Sequence, residues 1–296
     1  MDAWSKKQPG AAQVFRLAFV TGDRLCNTFA NQMIPVSDQL GSSIPKTTTR
    51  YSNRFQDSFS VADYESKEYG AGSYSSCIWN LQRPVLEKIL AHFPPRHSRP
   101  VRLLDFACGT GRVMAALENQ ADAIEGIDIS ENMVAVARGK CPTAQLKVGD
   151  ILLQPELLQH KYDFITAFRF LLNVEPETRT KVLRRLREVI QPDGFLITNV
   201  HGNSRSLRHP AIVWRRWRER SQPTGAMLNE MSPEVTRQLL HASGFKIVRQ
   251  FGFGILPPTL YRTPLRRAAA AVDAALAGER RWNDYAIDML FVCRPL

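Results

Sequence analysis

Asp105, Asp128 and Asp150 are the residues whose placement first suggests chemistry. Each follows a short apolar run: Val101, Leu103 and Leu104 before the first, Ile124 and Ile127 before the second, Val148 before the third. A turn of small residues, Ala107-Cys108-Gly109-Thr110-Gly111, comes directly after Asp105 and Phe106. Glycines at 109 and 111 can take positive φ and leave no Cβ to block a ligand. Apolar residues resume at Val113 and Met114. The stretch reads as strand, glycine turn and helix start, and N–H groups at a helix start can face a bound small molecule. A nucleotide-like ligand is what such a turn receives.

The elements around these carboxylates alternate. Strands are expected at 101–106, 123–129, 145–148, 162–168, 195–200, 245–253 and 287–293. Helices are expected at 112–119, at 130–140 with Ser130 as cap, at 176–190, from Pro233 to Gly244 with Ser232 as cap, and at 265–276. Gln191-Pro192-Asp193-Gly194 reads as a turn. An earlier helix is expected at 81–93, where Leu81, Val85, Leu86, Ile89, Leu90 and Phe93 share one stripe. Repeated strand–helix units imply a parallel sheet with right-handed crossovers and helices on both faces. The last strand is close enough to the chain's end to slot back into that sheet. No internal repeat is visible.

Two nucleotide classes compete for the turn. A dinucleotide fingerprint wants G-x-G-x-x-G with an acidic residue about 20 residues later. Gly109, Gly111 and Asp128 match, but Met114 holds the third glycine position. Asp105 at the mouth of the turn would repel a pyrophosphate and suits a cationic ligand. S-adenosylmethionine carries a sulfonium, an ammonium and a ribose diol. Asp105 can face its amino-acid end, Asp128 can take both ribose hydroxyls, and Asp150 can accept from the adenine amino group. Carboxylates at the ends of successive parallel strands line one crevice, where open α/β sheets bind ligands.

Residues 100–200 resemble the core of class I S-adenosylmethionine-dependent methyltransferases. The first motif is Asp105 with Ala107-Cys108-Gly109-Thr110-Gly111, where Ala107 replaces the usual first glycine. The second is Gly126-Ile127-Asp128-Ile129-Ser130, followed by Glu131, Asn132 and Met133. Val148-Gly149-Asp150-Ile151 and Tyr162-Asp163-Phe164-Ile165-Thr166-Ala167-Phe168 follow in order. The post-motif is Leu186 with Ile190-Gln191-Pro192-Asp193-Gly194-Phe195-Leu196-Ile197. The resemblance implies an α/β fold: a Rossmann-like seven-stranded sheet, mostly parallel with an antiparallel last strand. It implies S-adenosyl-L-methionine as cofactor, with Asp105, Ala107, Cys108, Gly109 and Gly111 around the methionine end. Asp128 would hold the ribose, with Ile129 and Met133 near the adenine. Asp150 and Ile151 would flank the base, and Phe168 would sit at the rim beside the sulfonium. The organisation expected is an N-terminal extension and lid at 1–98 and a cofactor core at 99–200. A basic insertion or substrate cover at 201–231 and the rest of the sheet at 232–296 follow.

The acceptor is less legible. His201 directly follows the fifth strand at the cofactor's edge of the sheet, and is the candidate general base for a hydroxyl acceptor. Hydrogen bonding to the Gly202-Asn203 loop is its alternative role. Glu230 and Arg169 are further candidates to contact substrate. The net charge of +11 attracts anions, nucleic acid among them. Motifs speak against nucleic acid: Phe168-Arg169-Phe170-Leu171 stands where adenine-N6 enzymes resemble one another in Pro-Pro-aromatic, and Cys141-Pro142 lies away from the strand where cytosine-C5 enzymes carry theirs. A small-molecule, sugar or natural-product-like acceptor methylated on O or N is the expectation. RNA methylation and an inactive methyltransferase-like binding module are the alternatives.

Other features bound the class. Arg205–Arg220 holds six arginines and one glutamate, with Trp214 and Trp217. A solvated helix packed through its tryptophans, a lid, and peripheral contact with an anionic membrane are its readings. Tyr64, Tyr69, Tyr74 and Trp79 precede the first expected helix and read either as loop packing or as a cover over the cofactor. Five scattered cysteines with no CxxC pair fit reduced thiols, with no disulfide framework and no metal site. No run approaches the roughly 18 apolar residues of a membrane span, and no signal peptide is evident, so a cytoplasmic location is expected.

Overall fold

The computed structural model describes residues 70, 72–92, 99–210, 214 and 230–296. Residues 1–69, including Tyr64 and Tyr69, lie outside the described residues, as does most of the basic 205–220 segment. Seven strands form one sheet: β1 (Arg102–Phe106), β2 (Ala123–Asp128), β3 (Gln145–Val148), β4 (Tyr162–Ala167), β5 (Ile190–Val200), β6 (Phe245–Phe253) and β7 (Asp288–Pro295). Their spatial order is β3-β2-β1-β4-β5-β7-β6. β1 pairs in parallel with β2 and β4, β2 with β3, and β4 with β5. β7 runs antiparallel to both β5 and β6, between which it is inserted. The order reverses between β1 and β4, so a crevice opens there at the carboxyl edge.

Strand period and burial explain the layers. Successive side chains on a strand point to opposite faces. Leu104, Ile165, Leu196, Phe291 and Cys293 enter one core, under α4 (Pro176–Val189) and α5 (Pro233–Ala242). Their neighbours Leu103, Phe164, Ile197, Leu290 and Val292 enter the other, under α1 (Tyr74–Ala91) and α2 (Arg112–Leu117). Ala137 of α3 (Glu131–Lys140) joins the second core. Every residue of β4 is buried, which suits a strand with a parallel partner on each side.

Expected caps appear as expected. The Ser130 hydroxyl accepts from the Met133 amide at 3.3 Å, and Ser232 accepts from the Val235 amide at 3.2 Å. Two expectations need correction. α1 begins at Tyr74, not near Leu81, so Tyr74 and Trp79 belong to a helix. Ser73 caps it, accepting from the Ser76 amide at 3.0 Å. Pro84 sits inside the helix, within the stretch already expected to be helical, and leaves one helical hydrogen bond unmade. The second correction is at Gln191–Gly194. The turn lies within β5, whose register on β4 jumps from Tyr162↔Ile190 to Phe164↔Phe195. Gly194 is needed there, because a Cβ would meet the Asp163 carbonyl oxygen at 2.8 Å.

Among the described residues, no helix is long and apolar enough to cross a membrane. Segment 201–210 is pinned to the connection that leads into β7: Asn203 donates to the Asp284 and Ala286 carbonyls, both at 2.8 Å.

Candidate cofactor site

A cavity lies over the carboxyl ends of β1, β2, β3 and β4. Asp105, Ala107, Cys108, Gly109, Asp128, Ile129, Met133, Asp150, Ile151 and Phe168 all line it. The turn after β1 is closed by backbone and carboxylate together. The Cys108 amide donates to the Ile127 carbonyl at 3.1 Å, and the Gly109 amide donates to Asp128 Oδ2 at 2.8 Å. The Ser130 amide donates to Asp128 Oδ1 at 2.9 Å. Asp128 therefore fixes the loops after β1 and β2 against each other. A carboxylate oxygen has two lone pairs, so each oxygen keeps acceptor capacity toward a ligand diol.

Asp105 is almost completely buried, with 1% exposure. Thr166 donates its hydroxyl to Oδ1 at 2.6 Å. Oδ2 is shielded from solvent and has no hydrogen-bond partner among the described residues. Burial raises the carboxyl from its ordinary range to about 7; the Thr166 bond opposes this, the Asp128 charge adds to it, and the Met114 amide and Arg112 oppose it. An orphaned carboxylate oxygen on a cavity wall is a receptor for a cation. Burial likewise raises Asp128 above the usual carboxylate range, with the Ser130 and Gly109 amides opposing it.

The far end of the cavity is apolar. Ile129 is 52% exposed, although it is a large aliphatic residue, and it faces the same space as Ile151, Met133 and Val182. A flat base would cover it. Asp150 accepts from the Leu152 amide at 2.8 Å through Oδ1, which holds the loop after β3 and leaves Oδ2 for the rim. Cys108 lines the cavity as a small residue. Burial, then the charges of Asp105 and Asp128, push its thiol far above the ordinary range, so it is not a nucleophile.

Gly111 does not line the cavity. It has φ +78°, and a Cβ there would come within 3.1 Å of the Ala137 side chain. Its work is to start α2 and let α2 pack on α3. Ala107 takes φ 53° in the position of the replaced glycine. His201 is not on the cavity wall either. It is half-buried just past β5, and its Nδ1 is shielded and without a hydrogen-bond partner among the described residues. Burial first, and Arg169 second, hold its pKa well below the ordinary histidine value. Glu230 lies 3.2 Å from His209 and away from the cavity. Arg169, in contrast, lines it, with φ 55° and its amide donating to Asn199 Oδ1 at 2.6 Å.

Several wall residues carry no motif. Arg112, Phe170, Asn173, Glu175 and Thr178 line the cavity. Glu175 directly precedes Pro176 at the start of α4, a sequence signal that could have pointed to this wall.

The groups present fit S-adenosylmethionine: an unpaired carboxylate oxygen for an ammonium, a carboxylate with spare lone pairs for a diol, and an apolar slot for a base. Fold and site together define a class I S-adenosylmethionine-dependent methyltransferase. A family model described as a methyltransferase domain matches residues 79–250, and the chain belongs to that family. A protein of Geobacillus sp. (strain WCH70) named "Putative methyltransferase" is 32% identical over 105 residues, covering 34% of this chain and 42% of that one. The dTDP-3-amino-3,6-dideoxy-alpha-D-glucopyranose N,N-dimethyltransferase of Streptomyces fradiae is 41% identical over 63 residues, 21% of this chain and 25% of that one. Curated relatives of this kind are matched over about half of their length or less. Among solved structures, magnesium protoporphyrin IX methyltransferase from Synechocystis PCC 6803 shares the fold. Its TM-score is 0.53 at 16% identity, covering 82% of this chain and 97% of that one.

Proposed function

We propose that this chain transfers a methyl group from S-adenosylmethionine to an oxygen or nitrogen of a small, polar or glycosylated acceptor. The observation that carries the reading is a polar network beside the cofactor cavity. Asp288, the first residue of β7, is buried and accepts at Oδ1 from Gln82 of α1 at 2.8 Å and from Asn199 of β5 at 3.1 Å. Asn199 also holds the Arg169 backbone, and Arg169 borders the cavity. The network is buried and bonded to itself, so it bears on an acceptor through Arg169, whose backbone it holds at the cavity wall; a single guanidinium there suits a small polar acceptor, whereas a phosphate backbone calls for clustered cations. The Streptomyces relative is by name an N,N-dimethyltransferase of an amino sugar, which supports the same acceptor class.

When bound, the cofactor supplies an electrophilic methyl on a sulfonium. The chain's own contribution is alignment, since most of the acceleration of such a displacement comes from holding the partners in line. Phe168 closes the rim and packs edge-on against Trp79, with centroids 6.2 Å apart, which keeps water out of that side. His201 is assigned to the acceptor's proton. Burial and Arg169 keep its ring neutral near pH 7, the form that can accept.

The test is mass spectrometry after incubating the full chain with methyl-labelled cofactor. The acceptors offered are nucleoside-diphosphate amino sugars, phenols and total tRNA. Label in a small polar acceptor is expected; label only in tRNA overturns the reading in favour of RNA. Bound cofactor with no transfer at all would make the chain a binding module. For a hydroxyl acceptor, His201→Gln should lower kcat by roughly 100-fold and leave S-adenosylhomocysteine affinity unchanged. An unaltered kcat would confine His201 to packing.

A further inference from the structure

We infer that Arg112, held in place by Trp79 of α1, binds the carboxylate of the cofactor's amino-acid end, so that a helix outside the cavity sets cofactor affinity. The inference rests on the cofactor assignment above. Arg112 and Arg169 are the cationic side chains on the cavity wall among the described residues. A zwitterionic amino-acid end carries ammonium and carboxylate on one carbon, so the groups that receive them must be neighbours. Asp105 presents the unpartnered oxygen suited to the ammonium. Arg112 is the arginine whose charge acts on Asp105. Both arginines act on Asp288, but Arg169 acts on His201, past β5, and not on Asp105.

Trp79 does not line the cavity, yet it backs two side chains that do. The guanidinium carbon of Arg112 lies 4.5 Å from the centre of its ring, within cation–π range. Phe168 meets the same indole edge-on. Trp79 is itself buried in the core that α1 forms with the sheet. The indole face restricts the guanidinium before any ligand arrives, which lowers the ordering cost of binding. Arg112 is thus a binding residue and Trp79 a positioning residue.

Calorimetry with two probes decides it: S-adenosylhomocysteine, and 5′-methylthioadenosine, which keeps the base, ribose and sulfur but lacks the amino-acid end. The wild-type chain should bind S-adenosylhomocysteine more tightly. Arg112→Met should weaken it by about 10- to 100-fold, the worth of a charge-assisted pair, and leave methylthioadenosine within about threefold. Arg169→Met should preserve the ratio of the two affinities. Trp79→Leu should lower that ratio by about 3- to 10-fold, with Trp79→Phe restoring most of it through the remaining ring. An unchanged ratio in Arg112→Met, or its collapse in Arg169→Met instead, overturns the inference. An unchanged ratio in Trp79→Leu overturns the positioning role. Equal wild-type affinities for the two probes also overturn it, because no carboxylate contact would then exist. A wild-type chain that binds neither probe would sink the cofactor assignment itself, a separate failure.

Discussion

At the scale of single residues, Asp105 sets a pH dependence for ligand binding. Its carboxyl, raised to about 7 by burial, is largely protonated below that value in the free chain. A bound ammonium needs the ionised form. Affinity for S-adenosylhomocysteine should therefore be flat above pH 8 and fall as pH drops through 7, approaching tenfold per pH unit. Calorimetry between pH 5.5 and 8.5 checks this, and Asp105→Asn should be weaker by about 1.5–3 kcal/mol and lose the slope. A slope that survives in the Asn variant would assign the titration to another group. The carboxylates of this site were legible in sequence because each ends a strand, and strand ends converge in a parallel sheet. Arg112 and Trp79 were not. Their meeting depends on how α1 lies on the sheet, which no spacing encodes. His201 was legible as a residue at the correct edge. Its absence from the cavity wall follows from β5 lying one strand beyond the switch point.

At the scale of elements, the turn between β1 and α2 divides its labour between two glycines. Gly109, with φ +54°, has open space where a Cβ would stand and lines the cavity. Gly111 faces α3 instead, with Ala137 and Cys141 close by. Gly111→Ala should cost about 1–2 kcal/mol from left-handed backbone alone, with the tight contact to α3 adding to it. Among folded molecules, S-adenosylhomocysteine affinity should stay unchanged. Gly109→Ala should weaken binding, because its methyl enters ligand space. Thermal melts and calorimetry on both variants separate the roles; equal binding losses would show that the turn moves as one unit. All seven strands were readable from apolar runs and turn residues. The first half of α1 was not, because Tyr74-Ser75-Ser76-Cys77 has weak helical character of its own. Packing of Ile78 and Trp79 into the core decides it, as tertiary burial overrides propensity.

At the scale of the whole molecule, buried carboxyl groups shape stability against pH. Burial raises Asp288 to about 7, with Arg169, Asn199, Gln82 and Arg112 opposing. The folded chain thus keeps a proton there that the unfolded chain gives up above about pH 4. The stabilisation is complete below that point and is lost as pH rises to about 7. Asp288→Asn removes this loss while an amide oxygen can still accept from Gln82 and Asn199. The variant should gain on the wild type by about 1.4 kcal/mol at most for each pH unit between roughly 4 and 7, and the gap should then level off. Urea unfolding at pH 4.5, 6 and 7.5 reads the difference directly; a constant gap would show that Asp288 is charged throughout.

The insertion of β7 between β5 and β6 has a consequence in time as well as in space. A ribosome delivers β5 and β6 long before β7. Until that last strand emerges, the two have no partner between them, and each offers an open edge to other chains. The cofactor half of the sheet, β1 to β4, has every pairing partner already made. Synthesis therefore passes through a species with one finished half and one adhesive half, the kind of intermediate that holding chaperones shelter.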